Sequence, residues 1–308
     1  MNPILIRHLY SSARRSRFFW FLCFYLLGVG LLTLLFGLVI AVPTLTDSDM
    51  ISMLDIFTGG RTLYWFSSVV LILTAGLLVP IMALGAFAGE REKRTLDLLV
   101  ATTLKTRNIV FGKLISAWMS GAIYVLTPLP LLMTGFWLGG VTGVELSLTL
   151  LFLVLTMLLS IAWALFISSL ARRTIAAVLI FYGLNFASLP MITILATALL
   201  GISEMWKYNV ALAIQPFWIE ALMQYGWVLL AGLHPLTAAI ATEGMIFEQD
   251  SWLWLHFTVE RYSETSGGTS VIGSLTLPSP WIVFTITALL TIVILLRLTV
   301  WRLGRVER

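Results

Sequence analysis

The chain has 308 residues, of which 59% are hydrophobic and 11% charged, with a mean hydropathy of +0.97. This balance excludes a soluble domain and describes an integral membrane protein. The net charge of +4 is a mark of topology and not of nucleic-acid binding, the lone Cys23 forbids an intrachain disulfide, and His8, His234 and His256 lack metal-ligand spacing.

Residues 1–17 place Leu5, Ile6, Leu9, Tyr10 and Ala13 on one side of a helical wheel, and Arg7, His8, Ser11, Arg14 and Arg15 on the other. That pattern predicts an amphipathic helix along the membrane surface, although a basic flank that only sets topology would use the same arginines. The charge-free run Phe18–Thr46 is long enough to cross a hydrocarbon core of about 30 Å and lacks a small-residue cleavage site, so it reads as a retained first span. Pro43–Arg61, with Asp47, Asp49 and Asp55, reads as a short acidic outer loop, and the aromatic run Tyr64, Trp65 and Phe66 marks the boundary of the second span, Thr62–Gly89.

Span three is predicted over Leu114–Val144, kinked near its outer end by Pro128 and Pro130. Gly135, Gly139 and Gly143 recur there at a spacing that permits close helix approach, or that simply makes a turn. Spans four and five, Leu146–Ala171 and Thr174–Ser203, are separated by Arg172 and Arg173 alone and must form a tight hairpin. The run 209–232 is apolar enough to cross, but Gln215, Pro216, Glu220 and Gln224 would then lie near the bilayer centre, where a carboxylate costs about 3 kcal/mol. Residues 205–247 therefore read as helices that enter the outer leaflet and return, with Gly226 or Gly232–Pro235 as the turn. In 248–280, "SWLWLHFTVERY" suits an interfacial helix or a strand and "SETSGGTS" a loop. The sixth span begins at Trp281.

The expected fold class is all-α integral membrane, because the apolar runs alternate too little for barrel strands. It comprises the amphipathic helix 1–17, five spans within 18–201, an outer re-entrant and exposed segment 202–280, a sixth span over 281–301 and a tail 302–308. Sixteen of the nineteen Lys and Arg side chains fall on one face of this arrangement, leaving Arg61, Lys207 and Arg261 on the other, so both termini are expected in the cytoplasm.

The segment Gly89–Arg107 carries eight of the 34 charged side chains, whereas Thr62–Gly89 carries none. Topology asks for its basic residues but not for Glu90, Glu92 and Asp97. Leu96, Leu99 and Val100 fall at i, i+3 and i+4, giving a short helix over about 90–104 an apolar face suited to a groove on a cytosolic partner; a solvated loop is the plainer reading. Spans one to five contain no ionisable group for a driving ion, and the chain has no Gly-x-x-x-x-Gly-Lys-Ser/Thr phosphate loop, so active transport would draw its energy from another polypeptide.

Gly89-Glu-Arg-Glu-Lys-Arg-Thr-Leu-Asp-Leu-Leu-Val-Ala-Thr102, followed by Ile109-Val-Phe-Gly-Lys113, resembles the segment between the second and third spans of ABC-2-type transporter permeases. Ser168–Ala177 and His234–Ala239 are weaker matches. The chain departs from the family pattern at Arg94, where the family often has Gly, at Asp97 for Glu, at Thr103 for Pro and at His234 for Asn or Ser. The resemblance implies a permease subunit without catalysis or cofactor of its own, paired with a second permease chain and with two copies of a cytosolic subunit that binds ATP and Mg, in the bacterial inner membrane. Glu90, Arg91, Glu92, Arg94, Thr95, Leu96, Leu99 and Val100 would dock that ATPase, and Glu220, His234 and Pro235 would belong to an outer gate. Such proteins mostly export, and their outer re-entrant helices act as a lid. Two other classes compete: a structural or assembly subunit that moves nothing, and membrane-embedded catalysis by Glu220 and His234. Glu220 reads more simply as a residue at the water-facing edge of a re-entrant helix.

Overall fold

A computed structural model of the chain describes residues 16–47, 53–95, 106–208, 217–249, 251–263 and 268–306. The predicted amphipathic helix, apart from its last two residues, lies outside them. The elements in order are α1 (Ser16–Asp47), α2 (Met53–Leu77), α3 (Ile81–Glu92), α4 (Thr106–Leu126), α5 (Leu129–Leu138), α6 (Gly143–Leu170), α7 (Thr174–Tyr208), α8 (Phe217–Ala231), α9 (Pro235–Gln249), β1 (Trp254–Ser263), β2 (Gly268–Pro278) and α10 (Pro280–Val306). Six segments among the described residues are long and apolar enough to cross a membrane: Leu22–Val39, Thr58–Glu92, Thr106–Leu126, Gly143–Leu170, Thr174–Ser203 and Pro280–Arg305. Long apolar runs become helices because a bilayer offers the backbone no outside partner for its N–H and C=O groups. The chain is a multi-pass membrane protein.

Two compact units divide it: Met1–Tyr182 with Leu289–Arg308, and Gly183–Ala288. In the first, α6 is the most enclosed of the six candidate spans and runs parallel to the α2–α3 rod. A ladder of polar contacts fixes the register. The Ser168 hydroxyl accepts from the Phe87 and Ala88 N–H groups at 3.0 Å each, Ser160 donates to the Ala75 carbonyl at 3.3 Å, Tyr64 donates to Thr149 at 2.8 Å, and Arg61 meets Glu145 at 2.7 Å. In a bilayer such bonds, each worth about 0.6 kcal/mol, select one helix register over its neighbours.

The second span is not one helix. Pro80 has no N–H to give, and the chain takes a tight turn over 78–80 in which Ile81, Met82 and Ala83 donate three residues back, to Leu78, Val79 and Pro80 at 3.3, 3.2 and 2.9 Å. The carbonyl of Leu77 thereby loses its usual helical donor, and the Tyr182 hydroxyl of α7 takes it instead. The prolines of span three act as expected: α4 stops at Leu126, and α5 starts afresh with Pro130 in its first turn. The predicted loop Pro43–Arg61 is largely helical, since α1 continues to Asp47 and α2 begins at Met53.

The three glycines of 135–143 do different work. Gly135 lies so close to α2 that an added Cβ would sit 2.7 Å from the Tyr64 nitrogen. Gly139 ends α5 at φ 95°, a conformation that favours glycine. Gly143 has open space around it and opens α6, which Thr142 and Glu145 cap reciprocally.

In the second unit, α8 and α9 form the expected helix–turn–helix, with the turn at 232–234 and Gly226 inside α8. Residues 209–216 lie outside the described residues. Among the described residues the expected helical fold carries one small sheet, an antiparallel hairpin of β1 and β2, which absorbs part of the predicted loop 263–270. Its alternation is regular: Leu255 faces Leu277, both fully buried, and Phe257 faces Leu275, packing on Trp227, Val228 and Ala196 while Trp254, His256, Ser274 and Thr276 stay exposed. Mostly polar side chains on the outer face and apolar ones on the inner face, in alternation, suit a strand better than a helix. Both edges are covered at one register pair. Gln249 donates to the His256 carbonyl at 3.1 Å and accepts from its N–H at 3.0 Å, and the Tyr225 hydroxyl reaches the Thr276 carbonyl at 3.4 Å on the other strand.

Candidate functional site

The charged stretch begins in the last turn of α3, and the helix ends at Glu92. The predicted helix over 90–104 therefore does not run unbroken from residue 90, because 93–95 form a turn. Thr95 N–H bonds the Glu90 carbonyl at 2.9 Å and Arg94 N–H the Arg91 carbonyl at 3.1 Å, with Arg94 at φ 56°. This is a Schellman C-cap whose left-handed position holds arginine. A side chain there costs about 1–2 kcal/mol relative to glycine. Arg94→Gly is expected to stabilise the protein by about 1 kcal/mol, read as a rise in thermal unfolding temperature in detergent.

Arg91 and Glu92, adjacent in sequence, hold the two ends of the α6–α7 hairpin. The Arg91 guanidinium donates to the Ala171 carbonyl at 2.7 Å and the Ser169 carbonyl at 3.3 Å, at the C-terminus of α6. Glu92 accepts from the Thr174 N–H at 3.3 Å and its hydroxyl at 3.1 Å, at the N-terminus of α7. Each charge sits at the helix end whose partial charge opposes it, worth about 0.3–1 kcal/mol per end. Arg172 and Arg302 are near enough to Arg91 to interact with it electrostatically.

Glu90 turns toward α4. Its Oε1 accepts from the Lys113 ammonium at 2.6 Å; the same ammonium donates to the Ala86 carbonyl and stands 4.7 Å from the centre of the Phe87 ring. Glu90 Oε2 is buried without a hydrogen-bond partner among the described residues. Lys113 lies seven residues past the start of α4, about 10 Å along its axis.

Of the eight side chains expected to dock a partner, Glu90, Arg91 and Glu92 are thus engaged by their own chain. Arg94 and Thr95 are exposed, and Leu96, Leu99 and Val100 lie outside the described residues. Sequence reasoning missed Lys113, Ser168 and Thr174 as members of this site. The available signal was Lys113 itself, an ionisable residue inside an apolar helix.

Glu220, His234 and Pro235 are not brought together. Glu220 lies in the first turn of α8, and His234 and Pro235 follow its last, about 20 Å away along the axis. Glu220 is buried, not at a water-facing edge, one turn before the equally buried Gln224, whose Nε2 donates to Ser203 at 3.4 Å. His234 Nδ1 accepts from Leu236 N–H at 3.3 Å, capping α9, and burial lowers the imidazole pKa to about 4. A pKa lowered on folding means that the neutral form stabilises the native state, fully above the unfolded value of 6.5 and progressively less as pH falls toward 4. Imidazole NMR of the His8→Gln/His256→Gln protein is expected to show no protonation of His234 down to pH about 5; a midpoint near 6.5 would show that the ring is solvated.

No protein-family model matches the chain, and no curated protein matches it.

Proposed function

We propose that the chain is the permease subunit of an ATP-driven exporter of the ABC-2 type, powered by a separate cytosolic ATPase that docks on the connection between α3 and α4. The observation that carries this reading is the meeting of Glu90 and Lys113 at 2.6 Å. These are charged members of the two short segments on which the family resemblance rests, and their pairing fastens both flanks of the connection. The Arg91 and Glu92 clamp adds support, because it ties the same helix end to the α6–α7 hairpin. A displacement of the connection would then reach α3, α4, α6 and α7 together. In this reading both termini are cytoplasmic, the membrane is the bacterial inner membrane, two permease chains and two ATPase copies assemble, and α8 and α9 form an outer re-entrant lid.

Changing Leu96 and Leu99 to Asp is expected to lower recovery of the ATPase with the purified permease at least tenfold, because two carboxylates replace the apolar face of the docking segment. Equal ATPase recovery and equal ATP hydrolysis by that variant would end the docking assignment.

A further inference from the structure

We infer that Glu90 and Lys113 form a transmission lock, a pair of positioning residues that holds the flanks of the 96–105 connection at one separation so that α3 and α4 move as a single body. The inference deepens the permease reading above and takes its consequence for movement from it. Lys113 reaches across from α4 to a carboxylate and a backbone carbonyl of α3 at once, and it passes the Phe87 ring on the way. Two acceptors on successive turns of α3 fix both the height and the rotation of α4 against it. Both charges are largely withdrawn from water, with 20% of the Lys113 side chain and 27% of the Glu90 side chain exposed.

An ion pair so placed roughly breaks even with an apolar pair in stability. What it adds is direction, because a carboxylate and an ammonium bond at one register, whereas two apolar side chains slide. Beyond the lock, α3 ends in the C-cap at 93–95, and α4 begins at Thr106. Without the lock α4 would be held to α3 by apolar packing alone, and a push on the connection would be spent in part on sliding one past the other.

The test uses the full chain in lipid nanodiscs with Cys23→Ser and spin labels at the exposed Lys93 and Asn108, one on each flank. The parent is expected to give a narrow distance distribution. Lys113→Met is expected to broaden it at least twofold, as is Glu90→Met/Lys113→Met, which leaves no unpaired charge and keeps the test open if the single variant fails to fold. An unchanged width in the double methionine variant would overturn the lock.

Trapping the co-purified ATPase with vanadate is expected to leave the label distance of the parent unchanged and to shift it in Lys113→Met. A shift of equal size in both would overturn transmission as one body. Failure of the permease reading would show separately, as a parent preparation with no ATPase, and the label widths would still decide the lock.

Discussion

Replacing Arg61 with Met is expected to destabilise the protein by about 3–5 kcal/mol, and replacing Arg61 and Glu145 together is expected to recover most of that loss. The asymmetry follows from burial. The Glu145 side chain is 2% exposed and the Arg61 side chain 27%, so removing the arginine leaves a carboxylate enclosed with no counter-charge. Among the described residues, the remaining partners of Glu145 are the Thr142 N–H, at 2.6 Å, and the Thr142 hydroxyl, at 3.1 Å. They complete the cap of α6 but carry no positive charge. Taking away both charged side chains removes the enclosed charge and part of the capping box, so the double variant should lie about 1–2 kcal/mol below the parent. Reversible unfolding in bicelles would measure this. Equal losses in the single and double variants would mean that the pair is not what holds the carboxylate inside.

Gly135→Ala is expected to cost about 2–3 kcal/mol, whereas Gly143→Ala, eight residues on, should change stability by less than about 0.5 kcal/mol. An added Cβ at 135 would lie 2.7 Å from the Tyr64 nitrogen and 2.8 Å from its Cα and Cβ, so α5 and α2 would have to part. Parting them strains the bond from Tyr64 to Thr149, one rung of the ladder that sets α6 in register, and Tyr64 is among the most deeply enclosed side chains of the core. At 143 a methyl group meets nothing within 4 Å. The pair of variants separates close approach from the general cost of altering a glycine, using the same unfolding measurement.

These glycines also show how far the fold can be read from residues alone. Their spacing reveals that a close approach or a turn is present, but not which glycine makes which; that depends on α2, more than 70 residues earlier. The apolar runs identify the six candidate spans because length and polarity are local properties. Pro80 shows the limit, since a proline in an apolar run predicts a weakened helix but not whether neighbours will satisfy the freed groups. The hairpin is legible only as strand or helix, because its aliphatic face takes sides once Trp227 and Val228 are there to receive it.

The candidate site divides in the same way. The excess of carboxylates at Glu90 and Glu92 marks the stretch as more than a topological flank, and that much is local. Which groups they serve is not local: Lys113 is 23 residues from Glu90 and Thr174 is 82 from Glu92. Charges that read as a surface offered to another protein are drawn inward by helix ends whose exposed backbone groups attract them. Arg94 is the instructive exception, because nothing beside it in the sequence marks it as the one left-handed non-glycine residue among those described.

The Tyr182 hydroxyl on the Leu77 carbonyl has a mechanical meaning. A helix interrupted by proline ordinarily swivels at little cost, since the orphaned oxygen is already unmet. Here that oxygen, at the end of α2, is tethered to α7, whose first turn is held by Glu92 at the end of α3, so a swing of α3 about Pro80 either parts Glu92 from Thr174 or pulls Tyr182 off a carbonyl in an apolar setting. The joint bends in company or not at all.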